Sequence, residues 1–211
     1  MKTNSRKDKL AQFNRENILD AADGLFRANG VEKTTMDMLA ADAGCSKPTL
    51  YSYFKDKDEV FFALVYRFIK KVEEQLQKAA DSKKDFMKRY MAVCNGVYEL
   101  ACNYPIYFEG FIGKINVDAD TDSMPLVYKE IYAEGEAVNE ILVKLIDEGK
   151  RDGLITSDLL TVNVRQYLWG GISGIIRMAL LKHDYLSLQK TSEKKFIKFC
   201  FERLLLGCVT V

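Results

Sequence analysis

The sequence predicts an all-α protein, with an N-terminal three-helix helix-turn-helix unit and a larger C-terminal helical body, about nine helices in all. Three observations predict it. Apolar residues recur at helical spacing along nearly the whole chain. No period-2 alternation runs longer than a few residues. Only three prolines and thirteen glycines punctuate 211 residues, which suits long helices better than strands joined by tight turns. With 48% hydrophobic and 29% charged residues, neither disorder nor a fibrous repeat is a serious reading.

The elements follow in order. Ile18, Leu19, Ala22, Leu25 and Phe26 form a core-facing stripe that ends at Asn29-Gly30. Thr35 is placed to cap a short second helix whose buried stripe is Met36, Leu39, Ala40 and Ala43, and Gly44 stops it. Ser46 can cap a third helix, with Pro48 in its first turn, running to about Phe54. Asp56 with Glu59 resembles a capping box opening a long fourth helix to about Ala80. Further helices are expected over about 83–102, from Pro105 to near Lys114, and over about 125–150, 158–182 and 191–207. The segment from Ile115 to Pro125 reads as an exposed loop. The last helix is apolar on two sides, Phe196, Cys200 and Leu204 on one and Ile197, Phe201 and Leu205 on the other, so it must be covered on two sides.

Charge and cysteines narrow the class. Thirty-one basic and thirty acidic residues leave a formal +1, which by itself does not suggest nucleic acid. Partitioned, residues 1–57 hold ten basic and eight acidic groups, and the first nine alone carry +3. That start reads as a basic arm along phosphate or as a plain tail. The five cysteines form no CxxC, and no apolar leader opens the chain, so a cytoplasmic protein with free thiols and no membrane partner is expected. The single histidine, His183, excludes multi-His metal sites, and its place at a helix end suggests a surface role. Asp118, Asp120 and Asp122 have calcium-loop spacing, but Ser123 and Lys129 stand where glycine and the bidentate glutamate belong, so no metal is expected. No cofactor is expected either.

The functional signal lies in residues 34–57. Two short helices joined by Ala43-Gly44-Cys45-Ser46 describe a helix-turn-helix. Leu39 and Leu50 can fix their crossing, while Lys47, Thr49, Tyr51, Ser52 and Tyr53 supply an outward polar face. Helix starts at Thr35 and Ser46 would offer backbone N–H groups to phosphates.

Thr34-Thr35, Ala43-Gly44, the Ser-Lys-x-Thr-Leu-Tyr-x-Tyr-Phe string at 46–54 and Lys55-x-Lys57-x-Glu59 together resemble the DNA-binding domain of the tetracycline-repressor (TetR) family. The resemblance covers about residues 12–65. It implies that Thr35, Tyr51 and Lys57 reach phosphates and that Lys47, Pro48, Thr49 and Tyr53 line the groove-facing side of the recognition helix. Asp37 departs from the pattern, which often has a basic or polar residue there, and phosphate would repel it. Cys45 stands in place of a branched aliphatic residue, and Pro48 where many members have glycine.

Residues 58–211 are then expected to bind an effector and to dimerise, leaving 1–57 as the DNA-binding domain. Gly170-Gly171-x-x-Gly174 permits close helix approach, so Gly170, Gly174, Phe196, Cys200, Phe201 and Leu204 are the expected homodimer interface. The resemblance implies an intersubunit four-helix bundle there. It also implies a cavity for a small apolar or aromatic effector among the middle aromatics, with Tyr98, Tyr107, Phe111, Tyr132, Trp169 and Met178 as its wall. The expected function is sequence-specific transcriptional regulation of a palindromic double-stranded operator, by repression. Two other readings remain: a thiol redox-responsive regulator using Cys45, and a helical enzyme, for which no catalytic cluster is visible.

Overall fold

The computed structural model describes residues 6–82, 85–113 and 125–209. Among these, ten helices and no strand are found: α1 (Arg6–Asn29), α2 (Met36–Asp42), α3 (Lys47–Tyr53), α4 (Lys57–Ala80), α5 (Phe86–Asn103), α6 (Pro105–Ile112), α7 (Leu126–Arg151), α8 (Thr161–Leu181), α9 (His183–Leu188) and α10 (Glu193–Leu206). The expected loop from Ile115, the acidic triplet at 118–122 and the first five residues of the basic arm lie outside the described residues. Residues 6–9 form the first turn of α1.

Local chemistry sets the helix boundaries. Thr35 accepts from Met38 N, Ser46 from Thr49 N and Asp85 from Lys88 N, each side chain satisfying an otherwise orphaned donor. Before α4, Glu59 N donates to Asp56 Oδ1 at 2.9 Å, and Glu59 Oε2 accepts from Lys55 N at 2.6 Å, a capping box displaced by one residue. Gly30 and Gly44 adopt φ of +80° and +66°, left-handed conformations that a side chain would strain. Helix α9 is additional to the nine expected: the chain breaks at Lys182, and six residues are too short a run for a periodic signal.

The described residues pack as two units. The first holds α1 to α3, α4 as far as Arg67 and the start of α7 as far as Ile131; the second holds the remainder. In the first, Ile18, Leu19, Ala22, Phe26, Leu39, Leu50, Phe54 and Val60 form the core. Arg67 pairs with Glu16 and, at 2.8 Å, with Asp20, fixing α1 to α4. In the second unit, α8 packs on α10, where Gly171 lacks the Cβ that would meet the Leu204 side chain. Tyr90 on α5 donates to Phe201 O on α10 at 3.0 Å.

Candidate nucleic-acid interface and effector region

The N-terminal unit is built to present one outward face. Leu39 and Leu50 are wholly buried and fix the crossing of α2 and α3. Asn17 Nδ2 donates to Ala43 O at 2.9 Å, anchoring the turn to α1, and Thr34 Oγ1 donates to Gly30 O at 2.9 Å. On this frame Thr35, Lys47, Pro48, Thr49 and Tyr51 are all exposed. Thr49 Oγ1 lies 2.8 Å from Ser46 Oγ, and Ser52 Oγ donates to Thr49 O at 2.6 Å, so the start of α3 is ordered by its own hydroxyls.

Two of the expected contact residues have structural duties as well. Tyr53 is half-buried and its hydroxyl accepts from Asn14 Nδ2 at 3.2 Å. Lys57 Nζ donates to the carbonyls of Val31 at 2.8 Å and Glu32 at 3.2 Å, closing the loop after α1. Lys47 pairs with Asp37 Oδ1 at 2.6 Å, and the hydrogen bond to Asp37 holds its ammonium above the ordinary lysine range. The partnership was not legible in the sequence, where Asp37 stood out only as a departure from the family pattern.

The expected effector residues are only partly brought together. Phe111 and Trp169 meet edge-on at 5.3 Å between centroids, and Phe111 also packs on Phe68 at 6.2 Å. Tyr107 is buried and stacks on Tyr104. Tyr98 instead donates to Glu193 at the start of α10. Tyr132 and Met178 are 61% and 45% exposed. Trp169 does line an apolar cavity of about 20 Å³, with Phe86, Tyr90, Leu145, Leu168 and Ile172, large enough for one water. Arg165 borders it as well, and its buried Nε has no hydrogen-bond partner among the described residues. The sequence does not single out Arg165.

The expected dimer residues divide by face. Gly170 and Gly174 are exposed, with open space where a Cβ would stand. Phe196, Cys200 and Leu204 are half-buried, whereas Phe201 is wholly buried in its own unit. Beside them Tyr167, Leu181, Tyr185, Phe199 and Leu206 are exposed apolar residues that the sequence did not single out. No group of three or more possible metal ligands occurs among the described residues, nor any helix long and apolar enough to cross a membrane.

A buried crossing of two short helices, a left-handed glycine in the turn and a polar face on the second helix define a helix-turn-helix DNA-binding regulator. Residues 18–64 match the family described as bacterial regulatory proteins, tetR family. The helix-turn-helix unit is thus a TetR-family DNA-binding domain, and the chain is a transcriptional regulator of that type. The HTH-type transcriptional activator FasR of Mycolicibacterium smegmatis is 25% identical over 195 residues, which are 82% of this chain and 89% of that protein. Among solved structures, the fatty acid degradation regulator FadR from Bacillus halodurans has a TM-score of 0.69 at 18% identity, over 91% of this chain and 94% of that one. FadR from Bacillus subtilis, solved in complex with stearoyl-CoA, has a TM-score of 0.67 at 20% identity, over 91% and 98% of the two chains. The likeness to these two structures is one of fold.

Proposed function

We propose that the chain acts as a homodimeric repressor that binds a palindromic operator through Thr35, Lys47, Pro48, Thr49, Tyr51, Tyr53 and Lys57, and is released by a small apolar effector. The observation that carries the reading is the face left exposed on α2 and α3 by the Leu39–Leu50 crossing. A single head of this size binds weakly. Two heads related by a two-fold axis enter successive major grooves about 34 Å apart. The exposed apolar stripe on α8 and α10 supports the dimer. Its members Gly170, Gly174, Phe199 and Leu206 leave a surface that a second copy would cover.

For the effector, the Phe111–Trp169 contact and the cavity beside it favour an apolar chain entering between α5, α7 and α8. The unpartnered Arg165 Nε at that cavity favours a ligand with a polar or anionic end. A long-chain acyl compound combines both properties, in keeping with the ligand named for the Bacillus subtilis FadR complex. Room for one water means the helices must part to admit it.

The test is operator binding by full-length protein at physiological salt, using a duplex selected from a randomised pool. Replacing both Lys47 and Tyr51 by alanine is expected to weaken binding by about 100-fold, since each head loses a lysine and an aromatic contact. Full binding by the double variant overturns the reading. Stearoyl-CoA added to the same assay is expected to release the wild type, and undiminished binding removes the acyl assignment.

A further inference from the structure

Asp37 is the second residue of α2, and its Oδ1 lies 2.6 Å from Lys47 Nζ, the first residue of the recognition helix. The pair neither closes a core nor caps a helix. Thr35 caps α2, Ser46 caps α3, and the two side chains are 55% and 69% exposed. An exposed ion pair adds little to stability, so its consequence lies in where it stands. Three lysines flank this face. Lys57 is committed to the carbonyls of Val31 and Glu32 and Lys47 to Asp37, which leaves Lys55 with an ammonium that has no partner among the described residues.

We propose that Asp37 is a specificity-determining residue: an internal counter-ion that keeps Lys47 off the phosphates of unrelated DNA and aims it at a base edge of the operator. This rests on the DNA-binding reading given above. Sequence-independent affinity comes almost entirely from phosphate charge that the protein neutralises. A lysine already paired gains little from a phosphate, and its carboxylate partner is carried into the repulsive field of the backbone. On the operator the geometry differs. A lysine ammonium has three donors, so with one on Asp37 two remain for the O6 and N7 acceptors of a guanine. The ion pair then survives in the specific complex and is a hindrance in all others, which widens the gap between them.

The experiment compares wild type with Asp37→Asn, a change of charge at constant shape on an exposed site. Full-length proteins are titrated with the pool-selected operator and with a mixed-sequence duplex of about 30 base pairs, long enough for two heads. Salt is varied between about 50 and 200 mM. The variant is expected to bind mixed-sequence DNA about tenfold tighter, with a log–log salt slope steeper by about 2, one extra phosphate for each of two heads. Operator affinity rises less, so the operator-to-mixed ratio shrinks. Asp37→Glu retains wild-type values, and in a Lys47→Ala background the Asp37→Asn change gives a clearly smaller gain, the relief of carboxylate repulsion alone. Unchanged affinity and slope on mixed-sequence DNA overturn the proposal, as does an equal rise on both probes. A wild type that binds neither duplex brings down the DNA-binding reading itself, whereas a binding wild type with an inert Asp37→Asn brings down only this proposal.

Discussion

His183 stands 62% exposed with Nδ1 2.6 Å from Glu193 Oε2, while the other oxygen of Glu193 accepts from the Tyr98 hydroxyl. The hydrogen bond and then the charge of Glu193 raise the imidazole above its ordinary 6.5. A raised histidine contributes its stabilisation in full below about pH 6.5 and loses it as pH climbs through the raised value. Because the chain has one histidine, its ring resonances in a proton NMR titration report this group alone. The midpoint is expected above 6.5 and to fall back toward it in Glu193→Gln; equal midpoints contradict the pairing. Thiol chemistry is quieter. Burial pushes Cys94 up to about 12 and raises Cys102, Cys200 and Cys208, leaving each short of thiolate at neutral pH. At this scale the caps Thr35 and Ser46 were legible, since a cap bonds a backbone donor two or three residues away. The partners Asp37–Lys47 and His183–Glu193, each ten residues apart, were not, because their meeting depends on how two helices turn.

At the scale of elements, stripes and stop signals in the sequence locate nine of the ten helices found among the described residues, and ends differ by a few residues where turns fray. The exception, α9, occupies six residues and buries only Leu186, so periodicity had nothing to register. Helix α7 illustrates what packing adds. Its Gly149 looks like a weak point, and replacing it by alanine should gain up to about 1 kcal/mol of helix propensity. The added Cβ, however, would stand 2.7 and 2.9 Å from the Phe86 ring and 3.0 Å from Ile155 Cδ1. A ring cannot yield as a flexible chain end does, and overpacking costs about 1–3 kcal/mol. Gly149→Ala is therefore expected to lower stability by about 1 kcal/mol net, read as a lower urea midpoint at unchanged slope. A higher midpoint would show that Phe86 and Ile155 move aside freely.

For the molecule as a whole, the DNA-binding head was the most legible part, because its residues follow one another at fixed offsets within 34–57. The expected effector wall is the least legible. Aromatic residues at helical spacing look alike whether they fill core, as Tyr107 and Phe108 do, or stand outside it, as Tyr132 does. The expected interface names two helices but does not separate their faces. Phe201 turns inward, while Phe199, two residues before it and 58% exposed, turns out. In the homodimeric reading, Phe199→Glu places two charges in the shared seam. Sedimentation is expected to show the monomer at micromolar protein with an undisturbed circular dichroism spectrum. A variant that stays dimeric moves the seam elsewhere.

The missing Cβ of Gly171, which lets the Leu204 side chain settle against α8, joins α8 and α10 into one slab before any partner arrives. In the homodimeric reading each subunit then offers a prefabricated half, and association loses little flexibility in ordering it. A regulator assembled from such halves occupies its operator in proportion to the square of its concentration while the dimer is scarce. Control of the target gene then becomes a threshold in how much of the protein the cell holds, set in part by one absent methyl group.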